Sequence, residues 1–324
     1  MVLTDSLNWT AAVLMILNGL FGILCNSLII YIFFKTPSER NSFNLICVYR
    51  AIGNCIILIW AFLGTFVPVA MFGSSLFSPL YQTIVITSVN GIYAGLQYCG
   101  FVIAVNRFFV MFFPQLYSTV FSVKLTFVVM NLIVVIRIIN AAFDFSVKIP
   151  NNCFSTYSST NLTWSSDLDP HCSSVPFSVV DVTAVVVGIL IIMNLATFFK
   201  IYLFYKSKKL GDKVVEGRMK KNKIMFIQTI LQDVIYLVDM IFTFSLSDLI
   251  AGRFWTFFCG SFVWESVHSI DGLIMIMFNE RIKFLKKKMM ELMRKKDQNP
   301  NDRRVELAMT ATVMPTRTPQ MFDH

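Results

Sequence analysis

From position 106 to position 124 the chain reads NRFFVMFFPQLYSTVFSVK. A long apolar run leads into this stretch, Arg107 stands at the edge of that run, and Pro114 and Tyr117 follow. An arginine at the border of hydrocarbon keeps its methylene stem among apolar groups while its head reaches water or a carboxylate. Proline cannot continue the hydrogen-bond ladder of a helix, so the helix carrying Arg107 should end near Pro114. A snorkelling anchor would need the arginine alone; the proline and tyrosine ask for a more particular account.

Hydrophobic residues make up 56% of the chain and charged residues 15%, with a mean hydropathy of +0.65. Soluble domains carry about 25% charged residues. A soluble fold of this length has no interior large enough to hide so much apolar surface, so the bilayer is the solvent to expect. Crossing about 30 Å at about 1.5 Å per residue takes roughly twenty apolar residues. Seven runs reach that length, near 11–34, 45–71, 83–109, 123–143, 177–205, 224–250 and 255–278. They are continuous rather than alternating, which predicts helices and not barrel strands. The first is too long and too evenly apolar for the core of a signal peptide, and no positive residue precedes it, so it is expected to be retained. The fold class expected is an all-α membrane protein, with a seven-transmembrane helix bundle over 11–278 and a short amphipathic cytoplasmic helix after the last span.

The formal charge of +9 is gathered mainly in two stretches, 206–223 and 281–304. Apolar spans flank both, so a nucleic-acid partner is not expected. With Lys35, Arg40 and Lys124 they form one set of loops, while the opposite set holds only Lys148 and Arg253. Positive-inside bias then puts residues 1–10 outside and the tail in the cytoplasm, as a multi-pass protein of the plasma membrane. The polar stretch from Asp144 to Pro176 becomes the longest outer loop. It holds the sequon Asn161-Leu162-Thr163, a glycan acceptor; a second sequon at Asn8 abuts the first span, too close to the headgroups for use. Over 279–296, Ile282, Leu285, Met289, Leu292 and Met293 recur at helical spacing among lysines and arginines. Such a helix suits the anionic inner leaflet, a plain solvated helix being the other reading. The polar tail over 297–324 reads as disordered.

Arg107, Pro114 and Tyr117 stand in the register of the D/E-R-Y…P…Y signature, and in this the chain resembles rhodopsin-like G-protein-coupled receptors. Asn106 replaces the acid that holds the arginine at rest in that family, and Phe108 replaces the adjacent tyrosine. Asn26 matches the asparagine of the first-span G-N-x-x-V region, Asn54 stands for the aspartate of the second span, and Asp271-Gly272-Leu273-Ile274-Met275 occupies the place of N-P-x-x-Y. The stretches KTPSERNSF, YRAIGN, NRFFVMFFPQLY, CFSTY and HSIDGLIMIMFNERI are most similar to the nematode serpentine receptor class x family of chemoreceptors. That resemblance implies a chemosensory receptor, which binds an extracellular small molecule or peptide and activates a heterotrimeric G protein. Coupling would run through Asn106, Arg107, Phe108, Pro114 and Tyr117, and sensory cilia would be one location. It also implies a bundle polar network of Asn26, Asn54, Asp233 and Asp271. A transporter or channel is the rival class, favoured by the intramembrane charges but lacking an evident internal repeat. A non-signalling co-receptor is the third, consistent with Asn106 and the altered seventh span.

Rhodopsin-like receptors tie the outer end of the third span to the second outer loop through a disulfide, but near Tyr81 and Gln82 there is no cysteine. Cys153 and Cys172, both in the polar loop, are then expected to bridge each other, two free thiols being the alternative. Cys25, Cys47, Cys55, Cys99 and Cys259 lie in or beside apolar runs and read as packing residues. Ionisable groups inside spans are costly and usually paired or functional. Arg50, Arg107, Asp233 and Asp271 fall in the inner half, where Asp233 or Asp271 would partner Arg107. In the outer half Arg137 and Asp144, seven apart on one helix face, could bridge through a neighbour. Arg137, Asp239, Glu265 and His268 would surround a ligand cavity, structural pairing across the bundle being the bland reading. The third-span position that is acidic in amine receptors falls near Val89, which argues against a biogenic amine, and the seventh span has no lysine for retinal. No G-x-S-x-G, H-E-x-x-H or phosphate-binding glycine loop is present, so neither an enzyme nor a cofactor is expected, and three scattered histidines make no metal site.

Overall fold

The computed structural model describes residues 5–166, 172, 179–206, 213–247 and 249–279. The amphipathic helix expected over 279–296 and the tail over 297–324 lie outside the described residues, apart from Asn279, and so does part of the basic loop over 206–223.

Among the described residues seven long helical segments follow one another: α1 (Ser6–Lys35), α2 (Ser42–Phe72), α3 (Pro79–Phe112), α4 (Val123–Lys148), α5 (Val179–Lys206), α6 (Lys213–Ile241) and α7 (253–278). They form a seven-transmembrane helix bundle. Among the described residues, α1 to α4 and the 223–241 part of α6 are each long and apolar enough to cross a membrane; α5 contains a shorter apolar stretch, Gly188–Leu203.

Local chemistry sets where each helix begins. Asp5, Asn41, Ser78 and Ser122 cap α1 to α4, each side chain accepting a backbone N–H of the first turn. Pro79 occupies the first turn of α3, where a missing N–H costs nothing. The turns widen over Ile57–Phe66, ahead of Pro68, which has no N–H to donate to the ladder. Gly73, at φ +101°, ends α2 in a conformation that side chains disfavour. Pro114 closes off α3 and opens a short helix, Pro114–Val120.

The partition of side chains is inverted relative to a water-soluble fold. Leu24 is 68% exposed and most of α4 faces outward as Leu, Ile, Val and Phe, while Arg50, Asn54, Glu265, His268 and Asp271 are buried. Hydrocarbon accepts the first set, and the second must find partners inside the bundle. α7 packs against α1 and α6, and α3 against α4, α5 and α2, whereas α5 and α6 touch only sparsely.

Between α4 and α5 the chain forms a two-stranded antiparallel hairpin, β1 (Ser155–Ser158) and β2 (Thr163–Ser166), with Tyr157 opposite Trp164. The hairpin lies on one end of the bundle as a plug. Tyr157 stacks on Phe66, ring centroids 4.5 Å apart, and Trp164 meets Phe66 edge-on at 4.6 Å. Ser261 of α7 donates to the Leu162 carbonyl at 2.8 Å. A Cys153–Cys172 disulfide closes the loop. Gln82 and Thr83, at the start of α3, take over the tie that a cysteine would otherwise make. Gln82 accepts from the Tyr157 N–H at 2.8 Å, and the Thr83 hydroxyl accepts from the Ser155 N–H at 2.9 Å.

Candidate functional site

The α1–α7 contact is close because two glycines permit it. A Cβ at Gly22 would lie 2.3 Å from Ser269 Oγ, and one at Gly272 would lie 2.6 Å from Asn26 Nδ2. Asn26 thereby reaches across to donate to the His268 carbonyl at 3.1 Å. Asn54 of α2 donates to Asn26 Oδ1 at 3.2 Å and to Asp271 Oδ2 at 2.8 Å, and its own Oδ1 lies 2.9 Å from His268 Nδ1.

Asp271 is the hub. Arg50 grips it with two nitrogens, Nη2 at 2.7 Å and Nε at 3.3 Å, and Gln232 of α6 donates to it at 2.7 Å. Both carboxylate oxygens thus accept, Oδ1 from α2 and α6 and Oδ2 from α2. A fork-shaped guanidinium matches that geometry, and a charge at membrane depth is tolerable only when it is held this way.

Asp271 therefore belongs to Arg50, not to Arg107. Asp233 also leaves Arg107 alone, since it accepts from Asn194 of α5 at 2.8 Å. Arg107 is 4% exposed. Its guanidinium carbon sits 3.9 Å from the centroid of the Phe43 ring, and Nη1 reaches Met225 Sδ at 3.2 Å. Nε and Nη2 are buried with no hydrogen-bond partner. Asn106 donates to the Tyr117 hydroxyl at 3.4 Å, and Ser42 lies 3.3 Å from the same oxygen. Phe108 stacks on Phe112 at 4.4 Å, and Pro114 is exposed.

Toward the hairpin end, two of the four expected pocket residues, Asp239 and His268, meet at Tyr93, while Glu265 faces α1. The Tyr93 hydroxyl donates to Asp239 at 2.7 Å, and its ring lies 5.9 Å from that of His268. Trp264 joins the group, 6.3 Å from Tyr93 and 6.5 Å from His268. Glu265, in the same helix, accepts from Asn18 at 3.1 Å. Glu265 Oε1, His268 Nε2 and the Tyr236 hydroxyl are buried and have no partner. Arg137 is not with them. It donates to the Gly91 carbonyl at 3.1 Å and sits over the Tyr98 ring. Positions 91, 95 and 98 lie on the face of α3 opposite positions 93, 97 and 100, by the 3.6-residue period. Nor does Arg137 bridge to Asp144, which pairs with Lys148 one turn on at 2.7 Å. Asn161 is exposed at the hairpin tip. Asn8 is buried, donating to the carbonyls of Ala70 and Ser159 and accepting from Arg253. Among the described residues no group of His, Cys, Asp and Glu could hold a metal ion.

Tyr93, Gln232 and Asn18 take part without having been singled out from the sequence. Asn18, Gly22 and Asn26 recur every four residues on α1, a polar stripe within an apolar span that could have flagged the first of them.

Seven spans around a buried polar centre, with a cationic group kept at one end, make a seven-transmembrane helix bundle. A family model described as serpentine type 7TM GPCR chemoreceptor Srx matches residues 16–279, and the chain belongs to that family. It is also 24% identical over 298 residues to Serpentine receptor class X 45 of Caenorhabditis elegans, covering 84% of this chain and 79% of that protein. The family is one of membrane-embedded, multi-pass receptors rather than enzymes.

Proposed function

We propose that this protein is a chemosensory receptor of the plasma membrane, with the hairpin end outside and the Arg107 end in the cytoplasm, that activates a heterotrimeric G protein. The carrying observation is Arg107: a guanidinium that is buried, seated on Phe43, and short of partners for two of its nitrogens. A buried unpaired charge raises the energy of the resting bundle. Such a group lowers its energy if the helices part at that end and a partner protein supplies acceptors, so that ligand binding outside and partner binding inside favour the same state. Lys35, Arg40, Lys124 and the basic stretches 206–223 and 281–304 favour that end for the cytoplasm and for anionic lipid.

The extracellular ligand, a small molecule or peptide, is assigned to the region of Asp239, Glu265 and His268, where buried acceptor and donor atoms lack protein partners. Expression with a promiscuous G protein, followed by an odorant and peptide screen, tests this reading. A responding ligand whose signal disappears in Arg107→Ala, at unchanged surface level, supports it; a signal that survives that substitution overturns it.

A further inference from the structure

Where α5 and α6 touch sparsely, a cavity of about 490 Å³ opens between them and α3. That volume is within the range of small-molecule sites, roughly 300–1,000 Å³. Its walls are apolar, with Leu195, Phe198, Ile230 and Met240 among them, and Ile191 and Leu195 at the α5 wall are about half exposed to the surroundings of the bundle. Its floor has a different character. Arg50, Asn194, Asp233 and Tyr236 all contribute to it.

Asp233 is the notable member. It is only partly buried, although it sits in the middle of a membrane-spanning helix. Oδ2 accepts from Asn194, and no hydrogen bond to Oδ1 is made by a described residue. Arg50 Nε and Nη2 grip Asp271, so the one guanidinium near Asp233 is already shared with a second carboxylate and makes no hydrogen bond to Asp233. Gly100 leaves room between them: a Cβ there would lie 3.5 Å from Arg50 Nη1 and 3.8 Å from Asp233 Oδ1. The floor therefore sets one guanidinium against two carboxyl groups. The Tyr236 hydroxyl next to it is also buried without a partner.

An ionisable group facing hydrocarbon in this way is expensive unless something covers it. We propose that the cavity binds a membrane-dissolved amphiphile with a single apolar chain or ring system, whose hydrogen-bond-donating head, a hydroxyl or an ammonium, meets Asp233. The ligand enters sideways from the bilayer between α5 and α6. An anionic head is refused, because it would bring a third negative group to the floor. This site rests on the seven-helix fold alone; Tyr236 borders both its floor and the neighbourhood of Tyr93 and His268, and G-protein coupling plays no part in it.

The test uses the full chain in phosphatidylcholine nanodiscs and three photoreactive alkyl diazirine probes of one chain length, ending in hydroxyl, ammonium or carboxylate. The hydroxyl and ammonium probes should label α5 and α6 peptides around Leu195 and Ile230 about tenfold more than the carboxylate probe, equivalent to about 1.4 kcal/mol. Leu195→Trp, which fills the mouth from a lipid-facing position, should abolish that labelling. Leu132→Trp, on the exposed face of α4, should not change it. Asp233→Asn should cut ammonium labelling and spare the hydroxyl probe, since the amide oxygen still accepts. Equal labelling by the carboxylate probe, labelling spread over α4, or persistence in a Leu195→Trp protein that elutes as a single folded species would overturn the proposal.

Discussion

Arg50 of α2 and Asp271 of α7 are held 2.7 Å apart at side-chain exposures of 1% and 0%. The pair joins two helices far apart in sequence, and Gln232 brings in a third. Removing one member leaves the other charged in a low-dielectric interior, which typically costs about 3–5 kcal/mol. Arg50→Leu and Asp271→Leu should each sharply lower the thermal midpoint in detergent. The double variant should lose clearly less than the sum of the two, since no lone charge remains. Additive losses would mean the two residues do not act as a pair.

Arg107 should behave in the opposite sense. Arg107→Met removes a guanidinium two of whose nitrogens lack partners, and relieving such a group is worth about 1–3 kcal/mol. The variant is expected to melt at or above the temperature of the parent while its G-protein signal disappears. A fall in the midpoint comparable with that of Arg50→Leu would sink the idea that Arg107 is held unpaired at rest.

The hairpin is fastened by both covalent and polar means. Cys153 and Cys172 close a loop of sequence separation 19, for which chain-entropy reasoning gives about 3 kcal/mol. Cys153→Ser should lower stability by an amount of that order, and reducing agent should do the same to the parent protein and nothing further to the variant. Gln82→Ala loses three hydrogen bonds, to the Ser74 and Phe77 carbonyls and from the Tyr157 N–H. It should raise hydrogen exchange at Tyr157 even in oxidised protein.

Of the two sequons, Asn161 is exposed and Asn8 is buried among three hydrogen bonds. Asn161→Gln should shift the electrophoretic mass of protein made in eukaryotic cells, whereas Asn8→Gln should leave the mass alone and reduce surface level. A mass shift on both would show that Asn8 is accessible before the first helix docks.

The class of fold was legible because the bilayer imposes a length on each apolar run that no soluble helix needs. The bridge between Cys153 and Cys172 was legible because the other five cysteines lie in or beside apolar runs. Partner choice within the bundle was not. Depth along the chain places Arg50, Arg107, Asp233 and Asp271 near one another, but azimuth decides which of them meet, and azimuth comes from packing. Arg107 points to Phe43 and Met225, and nothing in its own span announces that. Arg137 illustrates the same gap: half a helical turn separates the face of α3 that it touches from the face that carries Tyr93. The hairpin was hidden in a loop of serine and threonine, and only the alternation of buried and half-buried residues from Ser155 to Ser158 betrays a strand.

The fastening of the hairpin to α3 by Gln82 and Thr83 has a temporal meaning. A cystine at that seam would weld the plug to the barrel of helices for the lifetime of the molecule. Side-chain amide and hydroxyl contacts instead can be surrendered and regained at ambient temperature, without any oxidant or reductant. The seam between the plug and α3 is thus held by contacts that break and reform without redox chemistry.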